Sequence, residues 1–440
     1  MKRYDCLIIG SGTAGAKIAK EFVKRNLRVA LIEKDFNVFG GSCINTACIP
    51  TKVLIEDSNH GYTYKEAFAR KNEIVPWFQA SKYKSLSREE NITLYDGTAS
   101  FLSNEVVEVN MDQGKERLTA DHIVINTGST SNIPPIEGME QTQNIYTSTT
   151  ILERETLPEK ILIVGGGYIG LEFASMYANF GSQVTVLLRG EKLLPHEDED
   201  IAQEIQQVLE DKGITFMFES EVTKVQEDNG TVLAFLNDGQ ELTADALLLA
   251  TGRKPNTEEL KLEKTSIEAS HSGAIDVNKQ CESSVPHIWA VGDVRGKEQF
   301  TYVSYDDGRQ VINAIFGSHM EFANPQKNIQ YTMFIDPPLA RVGLTEAQAK
   351  EKGYEVTVNT VPVRTIGRAH ILRDARGLFK AVVDKKEGKI LGVSLFGKQS
   401  EEIINIIKLA MDENWHYCRM RDQMFNHPIM SEAFNGLFNL

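Results

Sequence analysis

Cys6-Leu7-Ile8-Ile9-Gly10-Ser11-Gly12-Thr13-Ala14-Gly15 decides the fold of this chain. The apolar run at residues 6–9 has the length and character of a buried strand. The G-x-G-x-x-G at Gly10, Gly12 and Gly15 opens a helix with apolar positions at Ile18, Ala19, Phe22 and Val23. A second strand over residues 28–32 ends at Glu33. Strand, glycine loop, helix, strand and an acid about 20 residues on make a complete dinucleotide-binding pattern. The glycines let backbone approach a pyrophosphate at the helix N-terminus, and Glu33 can accept from ribose hydroxyls. The glycine motif alone is weak evidence; in this setting an ordinary glycine turn is the poorer reading.

The pattern occurs again further along. A strand over residues 161–164 runs into Gly165, Gly167, Tyr168 and Gly170, a helix continues through Phe173, Met176 and Tyr177, and a strand follows at 184–188. Two such segments imply two dinucleotides, and beside a dithiol the natural pair is a flavin and a nicotinamide. Where the first segment carries Glu33, the second has Leu188 followed by Arg189, with Lys192 close by. Loss of the acid and gain of a cation favours NADPH over NADH, because a carboxylate repels a 2′-phosphate. Two strands end in Thr-Gly, at Thr127-Gly128 and at Thr251-Gly252, and a third ends in Gly292-Asp293. Asp293 can accept from a ribityl or ribose hydroxyl, or be a plain turn aspartate.

The dithiol lies in Gly40-Gly41-Ser42-Cys43-Ile44-Asn45-Thr46-Ala47-Cys48-Ile49-Pro50-Thr51-Lys52. On an ideal helix a five-residue separation puts the Cα atoms roughly 8–9 Å apart, whereas a disulfide needs them within about 7 Å. If Cys43 and Cys48 bond, the helix must start late or distort its first turn. Lys52 shares a helix face with Cys48. A thiol near a helix N-terminus and a cation reacts as thiolate. Two buried, inert cysteines fit the spacing equally well.

Composition narrows the classes. A chain of 440 residues should hold two or three domains, and 41% hydrophobic with 25% charged residues suits well-buried cores. A net charge of −14 argues against nucleic acid or an anionic membrane as partner. Five cysteines do not make a secreted disulfide framework. The N-terminus runs straight into a strand without an apolar leader, and no apolar run reaches the ~18 residues of a membrane span. A cytoplasmic location is the expectation, where a close dithiol is more often catalytic than structural.

Residues 56–95 read as solvated helices and loops carrying Lys65, Arg70, Lys71, Lys82 and Lys84. Runs near Val107 and Leu118 suggest a small antiparallel sheet, and Pro134-Pro135 and Pro158 a boundary region. Beyond about Gln330 no nucleotide pattern occurs; strands at 378–383 and 390–393 precede a helix through Ile403, Ile404, Ile407, Leu409 and Ala410. His427 stands five residues before Glu432. That spacing fits an acid/base dyad or a plain surface histidine equally well.

Taken together, these motifs resemble the flavoprotein disulfide reductases, the class I pyridine nucleotide-disulfide oxidoreductases that include glutathione reductase, dihydrolipoamide dehydrogenase and mercuric reductase. The resemblance covers essentially the whole chain. It implies an α/β fold with two Rossmann-like dinucleotide-binding domains, for FAD and NAD(P)H, plus a C-terminal α+β dimerisation domain. The implied boundaries are 1–150 and 276–328 for the FAD domain, 151–275 for the NAD(P)H domain and 329–440 for the dimerisation domain. FAD would meet Gly10, Gly12, Gly15, Glu33, Gly41, Ser42, Lys52, Thr127, Gly128, Gly292 and Asp293. The nicotinamide nucleotide would meet Gly165, Gly167, Tyr168, Gly170, Arg189 and Gly252, with Tyr168 gating its pocket. The resemblance implies a disulfide between Cys43, the thiol that meets substrate, and Cys48, the thiol against the flavin. It further implies that Lys52 pairs with Glu172, and that His427, oriented by Glu432, serves the partner subunit of an obligate homodimer.

Phe300-Thr301-Tyr302-Val303-Ser304, Leu372-Arg373-Asp374 and the segment 431–438 narrow the likeness to a mercuric-reductase-like branch, the RclA-type and hypothiocyanous acid reductases. That branch detoxifies reactive chlorine species and hypothiocyanous acid, a small oxidant. Ala47 stands where many members carry glycine, and Leu188-Arg189 departs from the acidic, NADH-using pattern of the branch. Dihydrolipoamide dehydrogenase, a glutathione-reductase-like enzyme, copper(II) reduction and a non-enzymatic flavoprotein redox sensor are the competing readings. Mercuric reduction is disfavoured, since residues 435–440 hold no cysteine pair to pass on a soft metal and no N-terminal metal-binding module is expected. No His/Cys cluster has metal-ligand spacing.

Overall fold

In the computed structural model, which describes residues 1–317 and 328–440, the strand Lys2–Ile9 lies inside a seven-stranded sheet. It pairs in parallel with Val29–Glu33 on one side and with Gly114–Ile125 on the other. Ile92–Asp96 extends the parallel set beyond Val29–Glu33, and Ile288–Ala290 pairs with the end of Gly114–Ile125. The strand Gly114–Ile125 is 12 residues long and serves two partners. Its second half runs parallel to Lys2–Ile9, while its first half pairs antiparallel with Val107–Met111, which pairs with Thr98–Phe101.

Alternation along the strands supplies two cores. Leu7, Ile9, Ala30, Ile32, Ile123 and Ile125 bury one face. Cys6, Ile8, Val29, Leu31 and Val124 bury the other, with Ile18 and Phe22 from helix Thr13–Val23 and Val311 and Ile312 from helix Thr301–Phe316. Burial on both faces is the reason these strands read as continuous apolar runs. Two readings of residues 56–95 need correction. Ile92–Asp96 is a strand, and Lys71 is only 4% exposed, its ammonium 4.1 Å from the Phe68 ring centroid. Burial also pushes the Lys82 amine down. A long alkyl stem covering apolar surface is what the polar composition concealed.

A second parallel sheet has the order Thr215–Met217, Gln183–Leu187, Lys160–Val164, Ala246–Leu249, Ile145–Thr147. Helix Tyr168–Phe180 follows its glycine loop. A three-stranded antiparallel sheet, Val222–Asp228, Thr231–Leu236 and Glu241–Ala244, shares a core with it through Leu162, Leu247 and Val225. The C-terminal region forms a five-stranded antiparallel sheet in the order Gln330–Met333, Leu339–Gly343, Ile390–Phe396, Leu378–Asp384, Val356–Pro362. Ile404, Ile407 and Ala410 of helix Ser400–Asp412 join that core, whereas Leu409 points outward and is 65% exposed.

The chain divides into two compact units, one of Met1–Val53, Phe68–Asn132 and Gly252–Pro325, the other of Leu54–Ala67, Ile133–Thr251 and Gln326–Leu440. The changes at 132/133 and 251/252 differ from the boundaries at 150/151 and 275/276 set out above. Ile145–Thr147 is an edge strand of the second parallel sheet, and Leu260, Ile267 and Ile275 enter the core of the first. Residues 318–327 of the expected 276–328 segment lie outside the described residues. Among the described residues no helix is long and apolar enough to cross a membrane.

Candidate active site

The first glycine loop is tied to its surroundings by close backbone approach. Gly10 takes φ +105°, and a Cβ there would sit 2.3 Å from the Asn126 carbonyl oxygen. A Cβ on Gly15 would meet Asn126 Nδ2 at 2.7 Å and the Gly10 oxygen at 2.8 Å. Asn126 Nδ2 in turn donates to the Gly10 carbonyl at 3.1 Å. No side chain caps the helix Thr13–Val23, so its first N–H groups face the loop, the arrangement that suits the pyrophosphate of FAD. Glu33 Oε2 accepts from the Ser11 N–H at 2.9 Å and the Ser11 hydroxyl at 2.6 Å. The Ser11 oxygen accepts from the Gly40 N–H at 2.7 Å, joining the nucleotide loop to the dithiol loop. Gly41, at φ +83°, would place a Cβ 2.9 Å from Gly12 Cα, so the two loops touch backbone to backbone.

The far wall is built from three strand ends. Thr127 Oγ1 donates to the Asn256 carbonyl at 2.7 Å, and Asn256 Nδ2 donates back to the Thr127 carbonyl at 3.0 Å. Gly128 takes φ +72°. Asp293 accepts from the Ser129 hydroxyl at 2.9 Å, and Ser129 is held by Arg253 through its Oγ and carbonyl. The Gly292 N–H donates to Asp307 at 2.8 Å, and Asp307 is paired with the buried Arg295. Arg295 and Asp307 support the wall without any sequence motif that announces them, while Ser129 and Arg253 stand directly beside the two Thr-Gly pairs.

The dithiol segment breaks its helix between the cysteines. Ser42–Asn45 makes one turn, Thr46 leaves helical geometry at φ −138°, and a new helix, Cys48–Asn59, starts on the second cysteine. Asn45 Nδ2 donates to the carbonyls of Val38, Phe39 and Gly41 at 2.7, 3.1 and 2.9 Å and fixes the break. Both cysteines are thiols here, hydrogen-bonded to each other. Cys48 Sγ lies 3.2 Å from the Thr301 hydroxyl. The bond from Cys43, that from Thr301 and the charge of Lys52 lower the Cys48 thiol to about 6 against the opposition of burial. The same shared proton, with burial, pushes Cys43 up. The pair is therefore a monoanion near neutral pH, with Cys48 the thiolate. Thr301 belongs to a stretch that narrowed the likeness, but nothing in the sequence placed it at the dithiol; it lies 253 residues from Cys48.

The second glycine loop repeats the first. Gly165 takes φ +112° with a Cβ position 2.5 Å from the Ala250 oxygen, and a Cβ on Gly170 would be 2.0 Å from the Gly165 oxygen. Gly167 caps the helix Tyr168–Phe180 with no side-chain bond and has open space above it. A cavity of about 490 Å³ opens there, walled by Gly165, Gly167, Tyr168, Arg189, Lys192 and Thr251. Its size and uncapped helix suit a nicotinamide nucleotide. Arg189 pairs with Glu221 at 2.7 Å and Lys192 with Glu199 at 3.1 Å, both on the exposed rim. Such pairs are worth only about 0–1 kcal/mol, so a phosphate can compete for either cation. Gly252, one residue past the wall, takes φ +97°, and its carbonyl accepts from the Asn132 N–H.

Tyr168 donates to Glu197 at 2.6 Å, and Glu172 accepts from the Phe334 N–H at 2.8 Å. His427 Nδ1 lies 2.8 Å from Glu432 Oε2, so the two residues meet; the imidazole is 80% exposed. Phe434 and Leu437 of the short helix that follows anchor this corner in the C-terminal core.

Comparison with known proteins agrees with this architecture. Residues 4–309 match the pyridine nucleotide-disulphide oxidoreductase model, and residues 329–437 match the dimerisation domain of the same enzymes. The chain is 42% identical to the probable pyridine nucleotide-disulfide oxidoreductase RclA of Escherichia coli K12 over the full length of both. It is 32% identical to the mercuric reductase of Lysinibacillus sphaericus, across 93% of this chain and 77% of that one. A solved Cu(II) complex of the HOCl-induced flavoprotein disulfide reductase RclA from Escherichia coli superposes with a TM-score of 0.96, at 42% identity, covering 100% of this chain and 99% of that one. With both glycine loops, the broken dithiol helix and the dimerisation sheet in place, the chain belongs to the pyridine nucleotide-disulfide oxidoreductases, enzymes for which the family implies FAD and NAD(P)H as cofactors and a homodimer as the assembly.

Proposed function

We propose that this enzyme is a cytoplasmic, NADPH-preferring reductase of small electrophilic oxidants, with hypothiocyanous acid as its principal substrate and Cys43 and Cys48 as its redox centre. The observation that carries the reading is the Cys48 thiolate, held at about 6 by Cys43, Thr301 and Lys52 in a loop fixed against the first nucleotide site. FAD, when bound, supplies the route by which hydride from NAD(P)H becomes the electron pair that opens the Cys43–Cys48 disulfide. Residues Gly10, Gly12, Gly15, Glu33, Gly41, Ser42, Lys52, Thr127, Gly128, Gly292 and Asp293 would hold it.

The thiol chemistry then balances without further reactants. Cys43 passes its proton to His427 of the partner subunit, and its thiolate attacks the sulfur of hypothiocyanous acid. The S–O bond breaks, an S–S bond forms, and the departing hydroxide takes that proton to leave as water. Cys48 then displaces thiocyanate and closes the disulfide. One monoanionic dithiol and one hypothiocyanous acid thus give a disulfide, thiocyanate and water. A substrate of three heavy atoms beyond oxygen needs an accessible thiolate and a short proton path, and no elaborate pocket. The relative induced by HOCl supports an oxidant-defence role, and its Cu(II) complex supports copper(II) as a second electron acceptor.

The test is NADPH oxidation with hypothiocyanous acid, hypochlorite, lipoamide, oxidised glutathione and copper(II). Hypothiocyanous acid is expected to turn over fastest and Cys43→Ser to abolish the reaction; turnover no faster than the uncatalysed background would reject the substrate. Arg189 and Lys192 support NADPH as donor, and a kcat/KM ten times higher with NADH would overturn that preference.

A further inference from the structure

Glu197 is almost wholly buried, its side chain 1% exposed, at the wall of the nucleotide cavity. Its two oxygens are divided among three donors. Tyr168 and Tyr331 both donate to Oε1, and Arg341 donates to Oε2 at 3.0 Å. Arg341 is itself fixed by the His196 carbonyl at 2.8 Å and by Gln348 at 3.1 Å. Tyr331 and Arg341 face each other directly across the strands Gln330–Met333 and Leu339–Gly343, so the edge of the C-terminal sheet presents both to the same carboxylate. The Tyr168 and Tyr331 rings stack with centroids 5.1 Å apart. Burial and the neighbouring carboxylate push both phenols up, so they remain donors throughout the physiological range.

We propose that Glu197, clamped by Arg341, is the latch that holds Tyr168 closed over the nicotinamide end of the cavity, and that Tyr331 sets how readily the latch releases. The proposal rests on the assignment of Tyr168 as the gate. When Tyr168 swings out, Glu197 keeps the Tyr331 hydroxyl and the Arg341 guanidinium, so the buried carboxylate is never stripped of donors. Opening then costs one charge-assisted hydrogen bond and one ring stack, and the closed population reduces the apparent affinity for any ligand that must displace the ring. Glu197, Arg341 and Tyr331 are positioning residues: they act on the nucleotide through Tyr168.

Tyr331 acts in the opposite sense to Tyr168 and Glu197, which makes the latch testable on the holoenzyme by calorimetric titration with NADP+ and, as a control, with 2′-phospho-ADP-ribose, which lacks the nicotinamide. Tyr168→Phe and Glu197→Gln are each expected to bind NADP+ about tenfold more tightly, and the double variant no more tightly than Tyr168→Phe alone. Tyr331→Phe is expected to weaken NADP+ binding, because Tyr168 then becomes the remaining phenol on Oε1. None of the three should alter binding of 2′-phospho-ADP-ribose. Additive single effects, or equal effects on the two ligands, would overturn the latch. Tyr168→Ala separates the two levels: unchanged NADP+ binding there removes the gate itself, whereas tighter binding there with no response to Tyr168→Phe removes only the latch. Should Glu197→Gln fail to fold, the opposed signs of Tyr168→Phe and Tyr331→Phe still decide the matter.

Discussion

At the scale of single residues, the proposed chemistry turns on which sulfur carries the negative charge. Cys48 begins a helix, accepts from Cys43 and Thr301 and feels Lys52; Cys43 keeps the shared proton. The folded value of about 6 lies below that of an ordinary thiol, so the thiolate persists at neutral pH and is lost as pH falls through 6. Site-resolved alkylation of reduced enzyme should therefore show Cys48 reactivity falling by half near pH 6. Thr301→Val removes one hydrogen bond to the thiolate and should raise that midpoint by about one unit, since one unit is 1.36 kcal/mol. A midpoint that stays put would assign the lowered value to Cys43 and Lys52 alone. The cysteines and Lys52 were legible because they are neighbours in sequence. Thr301 was not, because nothing local links it to a loop 253 residues away, and Glu197 was hidden behind Arg341, 144 residues away, for the same reason.

At the scale of elements, the loop that carries the dithiol is held against the first glycine loop. The glycine loops were readable because their spacing follows from local geometry: a Cβ at Gly10, Gly15, Gly165 or Gly170 collides with backbone or a buried neighbour. The contact between the first glycine loop and the dithiol loop was not, since it depends on Ser11 and Gly41 meeting partners from elsewhere. Gly41 tests that contact. An alanine there must adopt φ +83° and push a Cβ to within 2.9 Å of Gly12 Cα. The strain alone costs about 1–3 kcal/mol. Gly61, at φ +76° with nothing within 4 Å, supplies the comparison. Gly61→Ala should lower Tm by several degrees and leave FAD content intact, while Gly41→Ala should lower Tm further and release FAD on gel filtration. Equal effects of the two substitutions on Tm and FAD would mean the loops tolerate separation.

At the scale of the whole molecule, the C-terminal region brings two groups of side chains into place. One edge of its sheet supplies Tyr331 and Arg341 to the Glu197 cluster, and the final segment presents His427 on Glu432 with its ring 80% exposed. Two of its five strands, near 378–383 and 390–393, were legible as short apolar runs, whereas Gln330–Met333, Leu339–Gly343 and Val356–Pro362 were not. The domain limits were less so, because prolines mark where the chain bends and say little about which core the next strand enters; Ile145–Thr147 and residues 260–275 went to the opposite side from the one expected. An exposed dyad on a dimerisation domain gains a purpose if it serves the dithiol of a second subunit. In a two-fold dimer each site would then need Cys43 from one chain and His427 from the other. Cys43→Ser and His427→Ala homodimers should each be nearly inactive, because each lacks the same group at both sites. When the two are mixed and allowed to exchange subunits, half of the dimers are mixed, and each of these holds one site with both groups intact. Activity should rise to about a quarter of wild type. A mixture that stays as inactive as its parents, with exchange verified by differently sized tags, would place His427 outside the partner's site.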